Sequence, residues 1–277
     1  MSEYFDLLFN GKLDEAEKIR KSSIPPKLIK FFSLNNSSKL VDKELNENKF
    51  NTLAKQELWF SRAENMNDPY EFQCMYINKD KFLENGHSEE DIANYNKILV
   101  QQKSQWALAS LSGNTFDCLP MWAYYTNNYQ GYCVEYDILK PDAIFKIGYE
   151  PDRIPIAALI ANLFHAFYAM KENRASETSD DMEFYLTLFN KQFFLKHESW
   201  KHENEYRIIY PIISGYGRNV NIAKVGLKTS KIVAGLNCSD EHKKRLNEIS
   251  NALGCGDIAV SKISGEKYTL LEDMDNG

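Results

Sequence analysis

Apolar and polar positions change rhythm along the chain, and the changes mark out its elements. Tyr4, Phe5, Leu7 and Leu8 group ahead of Asn10–Gly11, and Leu13, Ala16 and Ile19 form a helical stripe. Two short helices are expected there, ended by Pro25–Pro26, which force extended backbone. Leu28–Phe32 reads as a first strand, Asp42–Lys55 as a polar helix and Glu57–Ser61 as a second strand. Asn65–Met66–Asn67–Asp68–Pro69 is dense in turn formers. A helix is predicted over Ser88–Ala109, with Ser88 as N-cap and Glu89, Glu90 and Asp91 in its first turn; Ala107–Ser112 competes for its end as a strand. Pro120–Tyr125 predicts a short helix, and Gly131–Asp137 a strand with Tyr132, Val134 and Tyr136 on one face. Ile154–Lys196 reads as mostly helical, broken near Asn173–Ser179 by a polar loop. Glu205–Ile213, Ile232–Gly235, Ile258–Ile263 and Tyr268–Leu271 read as strands, with a Ser239-capped helix running to about Leu253.

Strands separated by unequal helical insertions predict an α+β fold with a mixed or antiparallel sheet core, without the regular alternation of a doubly wound sheet. The expected organisation is an N-terminal helical segment over 1–24 and one α+β domain over 25–277. Helical insertions fall around 80–106 and 154–198.

Composition narrows the function classes. The 277 residues are 26% charged with a net charge of −6, ordinary for a globular chain. Lys18, Arg20 and Lys21, and Lys243, Lys244 and Arg245, are the basic groups, and both fit solvated helix faces. That disfavours tight sequence-independent nucleic-acid binding, though not an enzyme that acts on nucleic acid. Five cysteines without C-x-x-C spacing, and no leader-like N-terminus, lead us to expect reduced thiols and a cytoplasmic location, with Cys118 and Cys133 buried. The apolar stretch Ile154–Met170 includes Asn162 and His165 and is too short for a membrane span, so it reads as a buried helix with His165 packed in the core. G-x-G-x-x-G, G-x-x-x-x-G-K-[ST], G-x-S-x-G and H-E-x-x-H are all missing. Lys201 stands where a second zinc histidine after His197–Glu198 would be, and His197 and His202 are about 140° apart on a helix, so no metal is expected.

Four segments carry a resemblance. They are Leu28–Ser33; Leu58–Ser61 with Met66–Phe72; Met121–Tyr125 with Gly131–Asp137; and Trp200–Ile209. Together, over about 25–270, they resemble the bacterial family catalogued as domain of unknown function 2971, whose segments look like "L-Y-K-Y", "L-W-F-S…F-N-D-P-F-E", "M-W-x-H-Y…G-x-C-x-x-F/Y-D" and "W-x-x-E-x-E-Y-R". Lys30–Phe31–Phe32 lacks the family's tyrosine, and Tyr124 stands at its common histidine position. That resemblance implies no established activity. The layout is also similar to small bacterial ADP-ribosyltransferases, a fold-level likeness. It implies an NAD-consuming enzyme, a transferase or glycohydrolase acting as toxin or phage-defence effector, with a nucleotide ligand and a protein or nucleic-acid acceptor. A non-enzymatic sensor or adaptor using the same pocket is the alternative.

Chemistry on NAD needs an aromatic face, a polar grip on phosphate or ribose, and a carboxylate near an oxocarbenium-like centre. Strand alternation puts Glu205 and Arg207 on one face about 7 Å apart. Glu205 is the candidate catalytic carboxylate, and Arg207 its orienter or a phosphate ligand. Lys30 is the candidate for phosphate or ribose, Trp122 and Tyr125 share a helix face that can stack a ring, and Asn67, Asp68 and Glu71 complete the polar set. Each has a plainer reading. Glu205–Arg207 can be a structural ion pair and Asp68 a turn former. Glu71 can pair with Arg207 or Arg62, and Trp59, Trp122, Tyr125 and Trp200 can be core. The deciding question is whether these residues line one cavity.

Overall fold

In the computed structural model the described residues are 10–84, 86–156, 191–212 and 215–274, with Tyr4, Leu7 and Asn162 besides. An α+β fold results, built on one large, mostly antiparallel sheet. Its elements run α1 (Leu13–Ser22), β1 (Lys27–Phe32), α2 (Leu40–Ala54), β2 (Glu57–Arg62), β3 (Met75–Tyr76), α3 (Lys79–Glu84), α4 (Glu89–Ser104), β4 (Trp106–Ser112), α5 (Leu119–Tyr125), β5 (Tyr132–Ile138) and β6 (Ile144–Lys146). They continue as β7 (Gly148–Glu150), β8 (Ile154–Pro155), β9 (Leu195–His197), β10 (Glu205–Pro211), β11 (Gly217–Asn221), β12 (Leu227–Ala234), α6 (Asp240–Ala252), β13 (Ala259–Ile263) and β14 (Leu270–Met274).

Strand order in the large sheet is β11-β2-β4-β1-β5-β12-β13-β14, with β10 on β4 and β6 on β10. β12 and β13 are parallel, joined by α6. Alternation works as expected in β5, where Tyr132, Val134 and Tyr136 enter the main core with Leu28, Leu58, Phe60, Leu111 and Ile208. α2 and α6 cover that face through Phe50, Leu53, Leu246 and Ile249. A second cluster on the other face holds Ile29, Phe31, Cys133 and Val233 against α5. α1 docks through Arg20, which is 6% exposed, lies 4.3 Å from the Phe145 ring and donates to the Pro141, Asp142 and Ile144 carbonyls.

Several expectations need correcting. The helix begun at Ser88 stops at Ser104 rather than Ala109, because 106–112 is taken up by full pairing with β10. Its capping is as expected: Asp91 N donates to Ser88 Oγ, and Ser88 N and Oγ both donate to Asp91 Oδ2. The long helical reading of Ile154–Lys196 fails at both ends. Ile154–Pro155 pairs with β3, and Leu195–His197 pairs with β7. The part between, 157–161 and 163–190 with His165 and the Asn173–Ser179 break, lies outside the described residues. β12 begins at Leu227, five residues before the strand expected from Ile232. A bulge between Thr229 and Lys231 breaks the alternation that would have revealed it.

Candidate functional site

The sheet forks at β4. Along one edge β4 pairs with β10 from Trp106↔Pro211 to Ser112↔Glu205. Along the other, Ala107 and Leu108 pair with β2, Ser112 pairs with Ile29 of β1, and Ala109–Leu111 have neither partner. β1 and β2 thus diverge over the middle of β4. In that gap Lys30 Nζ donates to the Ser110 carbonyl at 2.8 Å, replacing the missing ladder bond. A cavity of about 790 Å³ opens at the fork, bounded by α2, β1, β2, β4 and the Glu198–Glu203 3₁₀ turn. That volume is in the range of small-molecule sites.

Six of the eight residues singled out from sequence line this cavity: Lys30, Asn67, Asp68, Glu71, Tyr125 and Glu205. Trp122 and Arg207 do not. Trp122 is fully buried, edge-on to Phe31 at 5.4 Å and stacked with Tyr129 at 6.3 Å, and its indole donates to the Phe116 carbonyl. Arg207 is also fully buried, behind Glu205. The two residues at i and i+3 therefore divide: Trp122 turns into the core, and Tyr125 reaches the cavity. Asp68 Oδ1 accepts from Tyr70 N at 2.9 Å, the turn-forming role, while also facing the cavity. Trp59, 46% exposed, and half-buried Trp200 are cavity walls.

A tight corner aims the acidic end. Asn204 takes φ 44° and ψ 54°, a left-handed conformation that asparagine tolerates better than most residues. The corner is pinned to the end of β4. Gly113 N donates to Asn204 O at 2.8 Å, Ser112 Oγ to Glu203 O at 2.7 Å, and Asn114 Nδ2 to His202 O at 2.8 Å. A Cβ at Gly113 would come within 2.6 Å of the Tyr206 ring, so this approach requires glycine. Glu203 and Glu205 consequently share one cation. Lys196 Nζ lies 2.6 Å from Glu203 Oε2 and 3.2 Å from Glu205 Oε2, and 4.8 Å from the Trp200 ring centre.

Arg207 holds the other side of Glu205. Its Nε is 2.7 Å from Glu205 Oε1 and its Nη2 3.1 Å from Oε2, while Nη1 is 2.6 Å from Glu71 Oε1 and 2.7 Å from the Phe193 carbonyl. Ser110 Oγ donates to Glu205 Oε1 at 2.6 Å, and Tyr125 Oη donates to Glu203. Three carboxyl groups thus share two cations in a region where Glu71, Lys196, Glu203, Glu205 and Arg207 are each 7% exposed or less.

Titration follows from this packing. Burial alone would raise the Glu205 carboxyl, but the Arg207 guanidinium and Lys196 ammonium reverse that and hold it at about 2. Burial pushes the Glu71 carboxyl up, against the pull of Arg207. Burial also draws the Lys30 ammonium down to about 8, with Glu205 partly resisting. Tyr125 is pushed up by burial and by its bond to Glu203, so its hydroxyl keeps its proton. Glu205 is therefore a permanent anion at neutral pH, unsuited to donating a proton but suited to stabilising positive charge.

Ser110, Lys196, Trp59, Trp200 and Glu203 belong to the cavity but were not assigned to it from sequence. Glu203 had a signal, the E-x-E spacing ahead of Tyr206–Arg207. Lys196 had none, because it sat inside a segment read as helix. Two thiols are poor nucleophiles here: burial pushes Cys74 and Cys238 each to about 12. Cys133 is buried, whereas Cys118 is only half-buried.

Residues 121–208 match the family described as "Protein of unknown function (DUF2971)". The matched stretch contains Tyr125, Lys196, Trp200, Glu203, Glu205 and Arg207, and so most of the acidic end of the cavity. No curated protein and no solved structure matches the chain.

Proposed function

We propose that the fork cavity binds a nucleotide and that the chain consumes NAD, as an ADP-ribosyltransferase or NAD glycohydrolase. When nicotinamide leaves with the electron pair of its glycosidic bond, positive charge develops on the ribose ring. An ionised carboxylate in a water-poor wall stabilises that charge without reorganising. Glu205 is that carboxylate in this reading, set by Lys196, Arg207 and Ser110. Trp59 and Trp200 offer faces for a base or the nicotinamide, and Lys30 faces the ribose. The single observation that carries the proposal is a buried carboxylate, kept ionised, on the wall of an aromatic-sided cavity of about 790 Å³.

One observation favours a second reading, a binding module without turnover. Glu205 already accepts from Arg207 twice, from Lys196 and from Ser110, which fills about four acceptor positions. Chromatographic assay of nicotinamide release from NAD separates the two. The enzyme reading expects release by the wild type, and at least a hundredfold loss in folded Glu205→Gln and Glu203→Gln. The module reading expects calorimetric binding of NAD with no release, and neither binding nor release removes both.

A further inference from the structure

We infer that Lys30 is an amine nucleophile placed to condense with an aldehyde or ketone group of a ligand in the fork cavity, forming a reversible imine. Its position distinguishes it from the other lysines around the cavity. Lys196 is held by two carboxylates, Lys49 donates to both the carbonyl and the hydroxyl of Ser33, and Lys55 is exposed at the cavity edge. Lys30 is half-buried on the cavity wall. Its one hydrogen bond is to the Ser110 carbonyl, and no carboxylate lies within ion-pair distance of it among the described residues. A carbonyl acceptor restrains an amine without requiring its charge, and desolvation in the fork favours the neutral form.

With its titration drawn from 10.5 to about 8, roughly a quarter of Lys30 side chains carry a free lone pair at pH 7.5. For an ordinary lysine the fraction is about one in a thousand. The step balances without any further reactant. The Nζ lone pair bonds to the carbonyl carbon, and the π pair moves to oxygen, which takes a proton. Loss of water, together with the nitrogen's remaining proton, then leaves the C=N bond. Sugars that open to a free aldehyde are the fitting class, because the cavity walls combine aromatic faces with the Asn67 and Asn219 amides.

The test is reductive trapping on the whole chain. Wild-type protein is incubated with ribose 5-phosphate and sodium cyanoborohydride at pH 7.5, and peptides are mapped by mass spectrometry below one adduct per chain. Lys30 should carry the adduct at least tenfold ahead of exposed lysines such as Lys267. Lys30→Arg should remove it with no other lysine gaining. Labelling of exposed lysines with Lys30 unmodified overturns the inference, and the wild-type map alone suffices to overturn it should the variant misfold. The probe has no bond to a base that could be cleaved. Lys30 labelling therefore supports the inference even if NAD is not consumed, and NAD consumption does not rescue it if Lys30 stays unlabelled.

Discussion

Replacing Glu205 by glutamine keeps the shape of the side chain and removes its charge, so the stability change measures what the buried ion contributes. The folded carboxyl titrates near 2 against an ordinary 4.5, and at ~1.4 kcal/mol per unit that is about 3 kcal/mol at pH 7. Breaking a buried pair usually costs ~3–5 kcal/mol. The low end is expected here because both cations keep a second partner, Arg207 with Glu71 and Lys196 with Glu203. The sign with pH is fixed. A depressed carboxyl gives stability that is complete above its unfolded value and lost as pH falls toward its folded value. The difference between wild type and variant should thus be full at pH 7, fall to roughly half near pH 3, and close further below that. Urea unfolding at both pH values, with linear extrapolation, reads it directly. A loss below about 1 kcal/mol, or a difference that does not change with pH, would refute the ion-pair reasoning.

Arg207→Met should cost more, about 4–5 kcal/mol, because it leaves Glu71 without its paired cation and Glu203 and Glu205 to share Lys196 in a buried site. Orphaned carboxyls titrate upward, so this variant should regain more stability than the wild type, where Glu71 is already raised, as pH falls from 7 to 5, and thermal unfolding at the two pH values checks it. The tryptophans should separate cleanly. Trp122→Ala, which empties a fully buried site, should cost about 3–5 kcal/mol. Trp59→Ala, at a half-exposed cavity wall, should change stability by under about 1 kcal/mol yet weaken nucleotide binding about tenfold in calorimetry.

Periodicity made the central elements legible. β1, β5, α5 and α6 lie within a residue or two of their expected bounds: β1 follows Pro25–Pro26, β5 alternates, α5 has Pro120 in its first turn, and α6 has a capping serine whose Oγ accepts from His242 N. Short strands such as β3, β7, β8 and β9 were not legible, because two or three residues cannot show a period and exist only through their partners. The site divided in the same way. Glu205 and Arg207 follow from alternation along one strand, and they pair with Arg207 Nε 2.7 Å from Glu205 Oε1. The fork has no sequence signature, since it arises where β1 and β2 pair with different parts of β4. Without it, Lys30 reads as one more strand lysine, and nothing in the sequence placed Trp59 and Trp200 on a wall or Trp122 behind one.

The most direct measurement is a crystal structure grown with ADP-ribose, which carries the two phosphates and both sugars of NAD without the bond to be broken. Density between β1 and β2, with the terminal ribose beside Lys30 and Glu205 and the adenine on Trp59 or Trp200, is the predicted result. An empty fork with the nucleotide bound elsewhere on the surface would contradict the account.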